Sequence, residues 1–167
     1  MIIRLHLTPE LLRFYDHLHA QSREQLGRIS HDMLWKYAST GRLWTVLENG
    51  DPAGYVIAND TTRSNQKTRY PAQLRIYVAC IDYTARRREI GTALVHAVIA
   101  HHANRDIDAV GLWCAEDIEA NEFWKSLAFT PGPTRPGGRK RRRTLVEYHL
   151  ALHPEGHRSL FPTPGPT

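Results

Sequence analysis

Apolar and polar residues alternate at the start of the chain and then adopt a helical period. Residues 2–7 alternate as a half-exposed strand does, and Thr8 followed by Pro9 signals the start of a helix that ends near Ala20. In residues 30–38 the apolar side chains recur at spacings of three and four, which predicts a second amphipathic helix.

Two β-rich runs follow, residues 43–47 and 54–58, and between them stands the turn sequence Asn-Gly-Asp-Pro at residues 49–52. This arrangement predicts a β-hairpin. The polar segment 59–70 has no apolar period and is predicted to be an exposed connection. Residues 74–81 are then predicted to form an apolar, central strand.

The second half of the chain repeats the alternation of helix and strand. Apolar residues mark one helical face from Gly91 to about Asn104, and residues 110–114 return as a strand, so a right-handed parallel crossover is expected. A short helix is predicted over about 118–127 and a last strand over 145–150. Together these elements predict one α/β domain over residues 1–152.

The remaining residues, 153–167, are rich in Pro and Gly and are expected to form a disordered tail. A chain of 167 residues suits a single domain.

The composition adds one main point, an excess of basic over acidic residues. The formal charge is +5, which favours an anionic partner. Cys80 and Cys114 lie in apolar runs, so a disulfide framework is not indicated and a reducing cytoplasm is expected. No signal peptide or membrane span is predicted. The ten histidines lack the spacing of a closed metal site, so no metal is expected.

A basic turn separates the central strand from the following helix. Residues 85–94 read Ala-Arg-Arg-Arg-Glu-Ile-Gly-Thr-Ala-Leu. The free N–H groups of a helix start, with the helix dipole behind them, suit a pyrophosphate. Arginines neutralise phosphate charge, and Gly91 lets the backbone approach a ligand closely. An ordinary solvated turn is the alternative.

A second motif occupies residues 114–129, which read Cys-Ala-Glu-Asp-Ile-Glu-Ala-Asn-Glu-Phe-Trp-Lys-Ser-Leu-Ala-Phe. Its apolar positions are equally compatible with plain core packing. In this order the two motifs resemble those of the GNAT superfamily of N-acyltransferases, where an R/Q-x-x-G-x-G/A turn precedes an A-N-x-F-[WY]-x-x-L-G-F helix. The resemblance extends loosely over residues 1–150.

The resemblance implies a central, mixed, twisted sheet flanked by helices, and acetyl-CoA or another acyl-CoA as co-substrate. The strand that ends near Ile81 would splay from the strand at Val110 to admit the pantetheine arm. The cofactor-binding residues that the resemblance implies are Ile81, Arg86, Arg87, Arg88, Ile90, Gly91, Thr92, Asn121 and Trp124.

The sequence departs from the family pattern at three positions. Glu89 stands where the middle glycine is usual, although a register that starts at Arg88 also fits the letters. Trp124 stands where many members have a tyrosine that protonates the leaving thiolate, and an indole N–H cannot act as a general acid. Ala128 replaces a glycine.

Candidate catalytic groups therefore come from the strand ends: Asp82 and Tyr83 after the central strand, and Asp117, with Glu116, after the next one. Solvated carboxylates and a helix cap are the alternative interpretation. Cys114 lies near the expected cleft, but no histidine is placed to activate it, so a buried structural thiol is expected.

Residues 135–143 carry six basic side chains in nine positions: Arg135, Arg139, Lys140, Arg141, Arg142 and Arg143. This loop predicts an anionic partner, with DNA or RNA foremost, although a solvated charge run is the alternative. No aromatic residue alternates with these arginines, so phosphate contacts rather than base stacking are expected.

The main hypothesis is a CoA-dependent N-acetyltransferase in which Asp82, or a water beside it, takes the proton of an amine on an anionic or nucleic-acid-associated acceptor. Main-chain N–H groups of the open strand would stabilise the oxyanion. The alternatives are a nucleic-acid-binding module without turnover, a DNA-base-modifying protein of the Mom type, and acetylation of a small amine. A homodimer is compatible with the family resemblance.

Overall fold

The structure of the chain is a computed structural model. It describes residues 2–3, 6–22, 29–62, 72–86, 89–102, 107–138 and 142–152. The predicted tail, residues 153–167, lies outside the described residues. Within the described ranges the strands form a seven-stranded mixed sheet in the order β1-β2-β3-β4-β5-β7-β6.

The strands of this sheet are β1 (Ile2–Ile3), β2 (Leu43–Glu48), β3 (Asp51–Thr62), β4 (Ala72–Ile81), β5 (Ala109–Ala115), β6 (Thr130–Pro136) and β7 (Thr144–Ala151). The helices are α1 (Pro9–Gln21), α2 (His31–Ser39), α3 (Ile90–His102) and α4 (Ala120–Ser126), with a 3₁₀ turn at Tyr83–Ala85. The mixed sheet flanked by helices is the fold class that the family resemblance predicts.

Helices α1 and α2 cover one face of the sheet over β2, β3 and β4. Thr8 caps α1 by accepting from the N–H of Leu11 at 3.3 Å, as the Thr-Pro signal predicts. The buried side of α1, with Tyr15 and Leu18, packs against strand residues that include Tyr55. The Tyr15 hydroxyl also hydrogen-bonds Thr45 Oγ1 on β2, which fixes the helix on this half of the face.

Helices α3 and α4 pack on the opposite face. Leu94, Val95 and Val98 of α3 share a core cluster with Trp124 of α4 and with Val110 of β5. Helix α3 connects β4 to β5, and these two strands run parallel, as the predicted crossover requires. The carboxyl ends of β4 and β5, where the sequence motifs lie, therefore meet at one end of the sheet.

The hairpin of β2 and β3 follows its turn signal. Asn49 has φ 52° and Gly50 has φ 95°, which is the pair of positive angles that a two-residue hairpin turn requires. Gly54 is required for a different reason, because a Cβ atom there would lie 2.7 Å from the carbonyl oxygen of Cys80 on β4.

One sequence-based assignment was wrong, and one strand was missed. Residues 59–62 are not part of an exposed connection but of β3, where Asn59 pairs with Arg75 and Thr62 with Ala72. Their polar side chains obscured a strand whose main chain is satisfied by its neighbour. Residues 130–136, with three prolines, were not predicted as a strand at all, yet they form the edge strand β6 beside β7.

Candidate functional site

The sheet is split between β4 and β5. The two strands pair only from Gln73 with Ala109 to Ile76 with Leu112. Beyond that point β4 stays with β3 as far as Ile81, while β5 stays with β7 as far as Ala115. A V-shaped cleft therefore opens between the two strand ends, as the family resemblance predicts.

A β-bulge marks the place where the split begins. Ile57 pairs with Val78 but Ala58 pairs with Ile76, so Tyr77 is the extra residue on β4. The N–H of Asp82 donates to the Ala53 carbonyl of β3 at 2.9 Å. Because main-chain direction alternates along a strand, the N–H groups of Ala79 and Ile81 face the cleft. They are donors of the kind that can stabilise a developing oxyanion.

The cleft has a volume of about 1100 Å³ and is mostly apolar in its interior. Two helices complete its walls, α3 through its first turn and α4 through Phe123 and Trp124. Gly91 lies where the walls approach, since a Cβ atom there would be 3.4 Å from both Ile81 Cγ1 and Phe123 Cε2. A larger residue at this position would narrow the cleft.

The backbone at the first turn of α3 distinguishes the two alignments of the basic motif with the family pattern, one that starts at Arg86 and one that starts at Arg88. Glu89 has φ 59°, in the left-handed region that favours glycine, and its carbonyl accepts from the N–H of Ala93 at 2.8 Å. Glu89 therefore occupies a position where a glycine would be unstrained. This favours the register that opens at Arg86 and places the family's middle glycine at position 89.

Arg86 spans the mouth of the cleft. Its Nη1 atom lies 2.5 Å from Glu119 Oε1, and its guanidinium stacks 3.7 Å from the centroid of the Tyr83 ring. Its Nε atom also donates to the Ile81 carbonyl at 3.4 Å. The side chain thus connects the turn after β4 to the segment that precedes α4. Arg87 and Arg88, the other two arginines of the turn, lie outside the described residues.

Of the three candidate catalytic residues, only Tyr83 lines the cleft. Asp82 instead caps the 3₁₀ turn, where one carboxylate oxygen accepts from the Thr84 N–H at 2.8 Å and from the Thr84 hydroxyl at 2.5 Å. Burial raises the pKa of Asp82, but these hydrogen bonds and His17, 3.6 Å away, outweigh it and hold the pKa below its usual range. A carboxylate in these contacts is a poor proton acceptor.

Asp117 also takes part in a structural contact, because its Oδ2 atom lies 3.1 Å from Nε of Arg143. This ion pair joins the start of the α4 segment to the β6–β7 hairpin. Glu116 is exposed, and its main-chain N–H donates to the carbonyl of Thr144. Neither carboxylate lines the cleft.

Asn121 fastens the connection between β5 and α4. Its Nδ2 group donates to the carbonyls of Ala115 at 2.9 Å and Ile118 at 2.6 Å, and its side chain does not line the cleft. The contacts favour a structural role for Asn121 over the predicted cofactor contact. Ile90 does not line the cleft either, whereas Ile81, Arg86, Gly91, Thr92 and Trp124 do.

Cys114 is buried, and burial raises the pKa of its thiol to about 11. It is therefore protonated near neutral pH and is not an activated nucleophile, in agreement with the structural role expected for it.

The basic run lies on the hairpin of β6 and β7. Arg135 belongs to β6 and Arg142 has φ 46° at the tip, while residues 139–141 lie outside the described residues. Arg135, Arg142 and Arg143 line a depression of about 680 Å³ along the hairpin. Gly137 and Arg143 line both this depression and the cleft, so the two adjoin.

Sequence reasoning missed two aromatic residues of the cleft, Tyr77 and Trp113. The strand alternation places both on the face that carries α1 and α2, with the split between them. Tyr77 is 49% exposed. Strict alternation along residues 72–81 would place Tyr77 and Val78 on opposite faces of the sheet. The bulge instead puts both residues on the same face.

Comparison with known proteins bears on this architecture. The sequence pattern of the acetyltransferase (GNAT) family matches residues 10–129, which include both sequence motifs and the split strands. The chain belongs to the GNAT family. Over 82 residues it is 37% identical to an uncharacterized N-acetyltransferase of Methanocaldococcus jannaschii, an alignment that covers 48% of this chain and 35% of that protein. The chain thus matches only about a third of the length of that relative.

Solved structures support the GNAT fold. Ard1 from Thermoplasma volcanium superposes with a TM-score of 0.71 at 15% identity, covering 90% of this chain and 96% of that one. A chain of the NatC complex bound to Gag peptide and CoA gives a TM-score of 0.74 at 13% identity, covering 91% and 98%. At these identities the similarity shows the fold alone.

Two properties of the described residues concern the kind of site. No helix among them has the length and apolar character needed to cross a membrane. The same part of the chain holds no group of three or more His, Cys, Asp or Glu side chains placed to share a metal ion.

Proposed function

We propose that this chain is an acetyl-CoA-dependent N-acetyltransferase whose acceptor is an amine on an anionic molecule. The observation that carries the proposal is the split between β4 and β5, which opens directly against the first turn of α3. A linear pantetheine arm fits between two splayed strands, and a pyrophosphate suits the free N–H groups at a helix start.

The chain's own residues fit such a co-substrate. The main-chain groups of Ala79 and Ile81 face the cleft and can pair with amide groups of a pantetheine arm. The first-turn N–H groups at Gly91 and Thr92 suit the pyrophosphate. Glu119 already neutralises Arg86, so the ion pair must open or share Arg86 if that guanidinium is to contact phosphate.

The chemistry requires an amine nitrogen to attack the carbonyl carbon of the thioester. The new C–N bond forms, the C–S bond breaks, and the proton lost by the nitrogen finally resides on the thiol of CoA. The N–H group of Ala79, which is nearer the base of the split, faces the region where negative charge would develop on the carbonyl oxygen, and the N–H group of Ile81 remains for the pantetheine arm. We assign the proton relay to Tyr77, because it lines the cleft and Asp82 does not. Tyr83 also lines the cleft, but its hydroxyl donates to the Gln21 carbonyl at 3.2 Å.

The charge of the rim supports an anionic acceptor. The depression lined by Arg135, Arg142 and Arg143 adjoins the cleft, so an acceptor that reaches the thioester passes three guanidinium groups. Arg143 is partly neutralised by Asp117, whereas the described residues offer no carboxylate partner to Arg135 or Arg142. Cationic acceptors such as polyamines would be repelled there.

A nucleic-acid-associated acceptor is a second candidate, supported by the density of six basic residues in nine at positions 135–143. Binding to duplex DNA and to an RNA hairpin should be measured at several salt concentrations. If the candidate is right, log K falls linearly with log salt, and Arg142→Ser reduces the slope by about 0.9 on DNA. Arg13→Ser, which removes an exposed arginine of α1, is the matched control and should leave the slope unchanged.

The cofactor site is tested by calorimetric titration with acetyl-CoA. Thr92→Glu places a carboxylate on the side of the first turn of α3 that lines the cleft, and Ala93→Glu places the same group on its exposed side. The proposal predicts micromolar binding by the wild type, a large loss in Thr92→Glu and a smaller one in Ala93→Glu. Absence of wild-type binding, or equal losses in both variants, would contradict it.

A further inference from the structure

The described helices leave half of one sheet face uncovered. On the face that carries α1 and α2, these helices pack on β2, β3 and β4, and no described helix covers β5, β7 or β6. The side chains of β5 and β7 that point to this face therefore lie beside the mouth of the cleft. They include Trp113 of β5 and Glu147 of β7, which stand directly opposite each other in the β-ladder.

Trp113 is flanked by two arginines from neighbouring strands. The guanidinium carbon of Arg135 on β6 lies 4.0 Å from the indole centroid, and that of Arg75 on β4 lies 6.0 Å from it. Stacking holds a guanidinium in a fixed plane while its N–H edge stays available to an anion. Trp113 also lines the cleft, so both arginines lie beside the place where an acceptor would enter.

Glu147 adds an acidic group to this basic surface. It is half-buried, and among the described residues it has no cation within ion-pair distance. Gly132 of β6 has no side chain to cover this position, because a Cβ atom built there would lie 3.8 Å from the Glu147 Cβ atom. A partly exposed carboxylate that no described cation pairs with is available to the cation of a ligand.

We propose that Trp113, Arg135, Arg75 and Glu147 form the acceptor-recognition site, and that the acceptor is a molecule with an amine and an anionic group close together. Glu147 binds the ammonium form of the amine as the acceptor enters, and the two arginines bind the carboxylate or phosphate of the same molecule. The ammonium releases one proton to water before the neutral amine attacks the thioester. The site, which we call the Trp113 site, rests on the proposed acetyltransferase function and narrows its acceptor class. It adds a specificity-determining carboxylate that the sequence motifs do not contain.

The experiment uses the full chain and the indole N–H signals of its four tryptophans in heteronuclear NMR spectra. Trp113→Phe and Trp124→Phe assign the two signals that matter. The probes are matched pairs: phosphoethanolamine with ethanolamine, and β-alanine with β-alaninamide. The pairs also separate phosphate from carboxylate as the anionic group. Only the anionic member of at least one pair should shift the Trp113 signal.

Variants then test the assignment of each group. Arg135→Gln and Glu147→Gln should each weaken binding of the anionic amine about tenfold to a hundredfold, as loss of a hydrogen bond to a charged group predicts. Arg13→Gln is the control for loss of one positive charge and should leave binding unchanged. Equal shifts from both members of every pair, or binding that survives Arg135→Gln and Glu147→Gln, would overturn the proposal.

Failure of this inference can be told apart from failure of the proposed function. Acetyl-CoA is titrated into the same sample, and its binding is followed through the Trp124 signal inside the cleft. If acetyl-CoA shifts the Trp124 signal but no anionic amine shifts the Trp113 signal, the Trp113 site is refuted and the acetyltransferase proposal is not. If acetyl-CoA does not shift the Trp124 signal either, the assignment of the cleft as the acetyl-CoA site is refuted.

Discussion

Glu89 is the position where backbone conformation and charge both conflict with the residue present. For an L-residue the left-handed region costs about 1–2 kcal/mol, which Glu89→Gly would relieve. Glycine itself costs about 0.5–1 kcal/mol in chain entropy. Loss of a carboxylate at a helix N-terminus costs about 0.3–1 kcal/mol more. These effects nearly cancel, so the free energy of unfolding should change by less than about 1 kcal/mol.

Affinity for acetyl-CoA should respond more clearly, because loss of the carboxylate removes its repulsion of the pyrophosphate and nothing offsets this gain in binding. At a separation of about 6 Å in water, each pair of unit charges repels by about 0.7 kcal/mol, hence about 1.4 kcal/mol for a doubly charged pyrophosphate. Salt at physiological strength roughly halves this value. We therefore expect Glu89→Gly to lower the Kd of acetyl-CoA about threefold to tenfold, as measured by calorimetry.

Glu89→Gln separates the two effects. It removes the charge but keeps a side chain at a positive φ, so it should tighten binding nearly as much as Glu89→Gly while remaining strained. Thermal and chemical unfolding of the three proteins checks the stability part. If Glu89→Gln binds acetyl-CoA no better than the wild type, the pyrophosphate does not lie beside the first turn of α3 and the reasoning is refuted.

Three further predictions concern stability and turnover. Gly54→Ala should lower the free energy of unfolding by about 1–3 kcal/mol, because its Cβ meets the main chain of β4, whereas Gly138→Ala, in open space, should be neutral in denaturant titrations. Asp82→Asn should be less stable than the wild type at neutral pH by about 0.5–2 kcal/mol, the value of a cap. Because the pKa of Asp82 is lowered on folding, its contribution to stability is fully present above the pKa of the unfolded state and is lost as the pH falls through the folded-state pKa. The free energies of unfolding of the two proteins should therefore converge in acid and differ at neutral pH. Tyr77→Phe should lower kcat about tenfold to a hundredfold with little effect on acetyl-CoA affinity, and an equal or larger kcat loss in Asp82→Asn at matched stability would return the proton relay to Asp82.

The elements that were predictable from the sequence carry local signals. Thr8 with Pro9 defines the start of α1, and the Asn-Gly pair defines the β2–β3 turn, since each depends on the conformational preference of the residue itself. The cleft between β4 and β5 was predicted through the resemblance of the two motifs to the GNAT superfamily, which implies that these strands splay apart.

The features that escaped prediction depend on pairing between distant segments. The bulge at Tyr77 exists only in the register with β3, and Asn59 belongs to a strand only because Arg75 stands beside it. In the same way Arg135 has no aromatic neighbour in the sequence, yet the order of the strands brings Trp113 under its guanidinium. The contacts of Asp82 with Thr84 also escaped prediction, because they are a property of the folded turn.

The composition of β6 has a consequence for how this protein meets other copies of itself. Three of its seven residues are prolines and cannot donate a main-chain hydrogen bond, and the opposite edge of the described sheet, β1, has only two residues. A strand from another molecule therefore finds few donors at one edge and little length at the other. We infer that the sheet resists edge-to-edge association into aggregates. Two copies that associate would do so through sheet faces or helices.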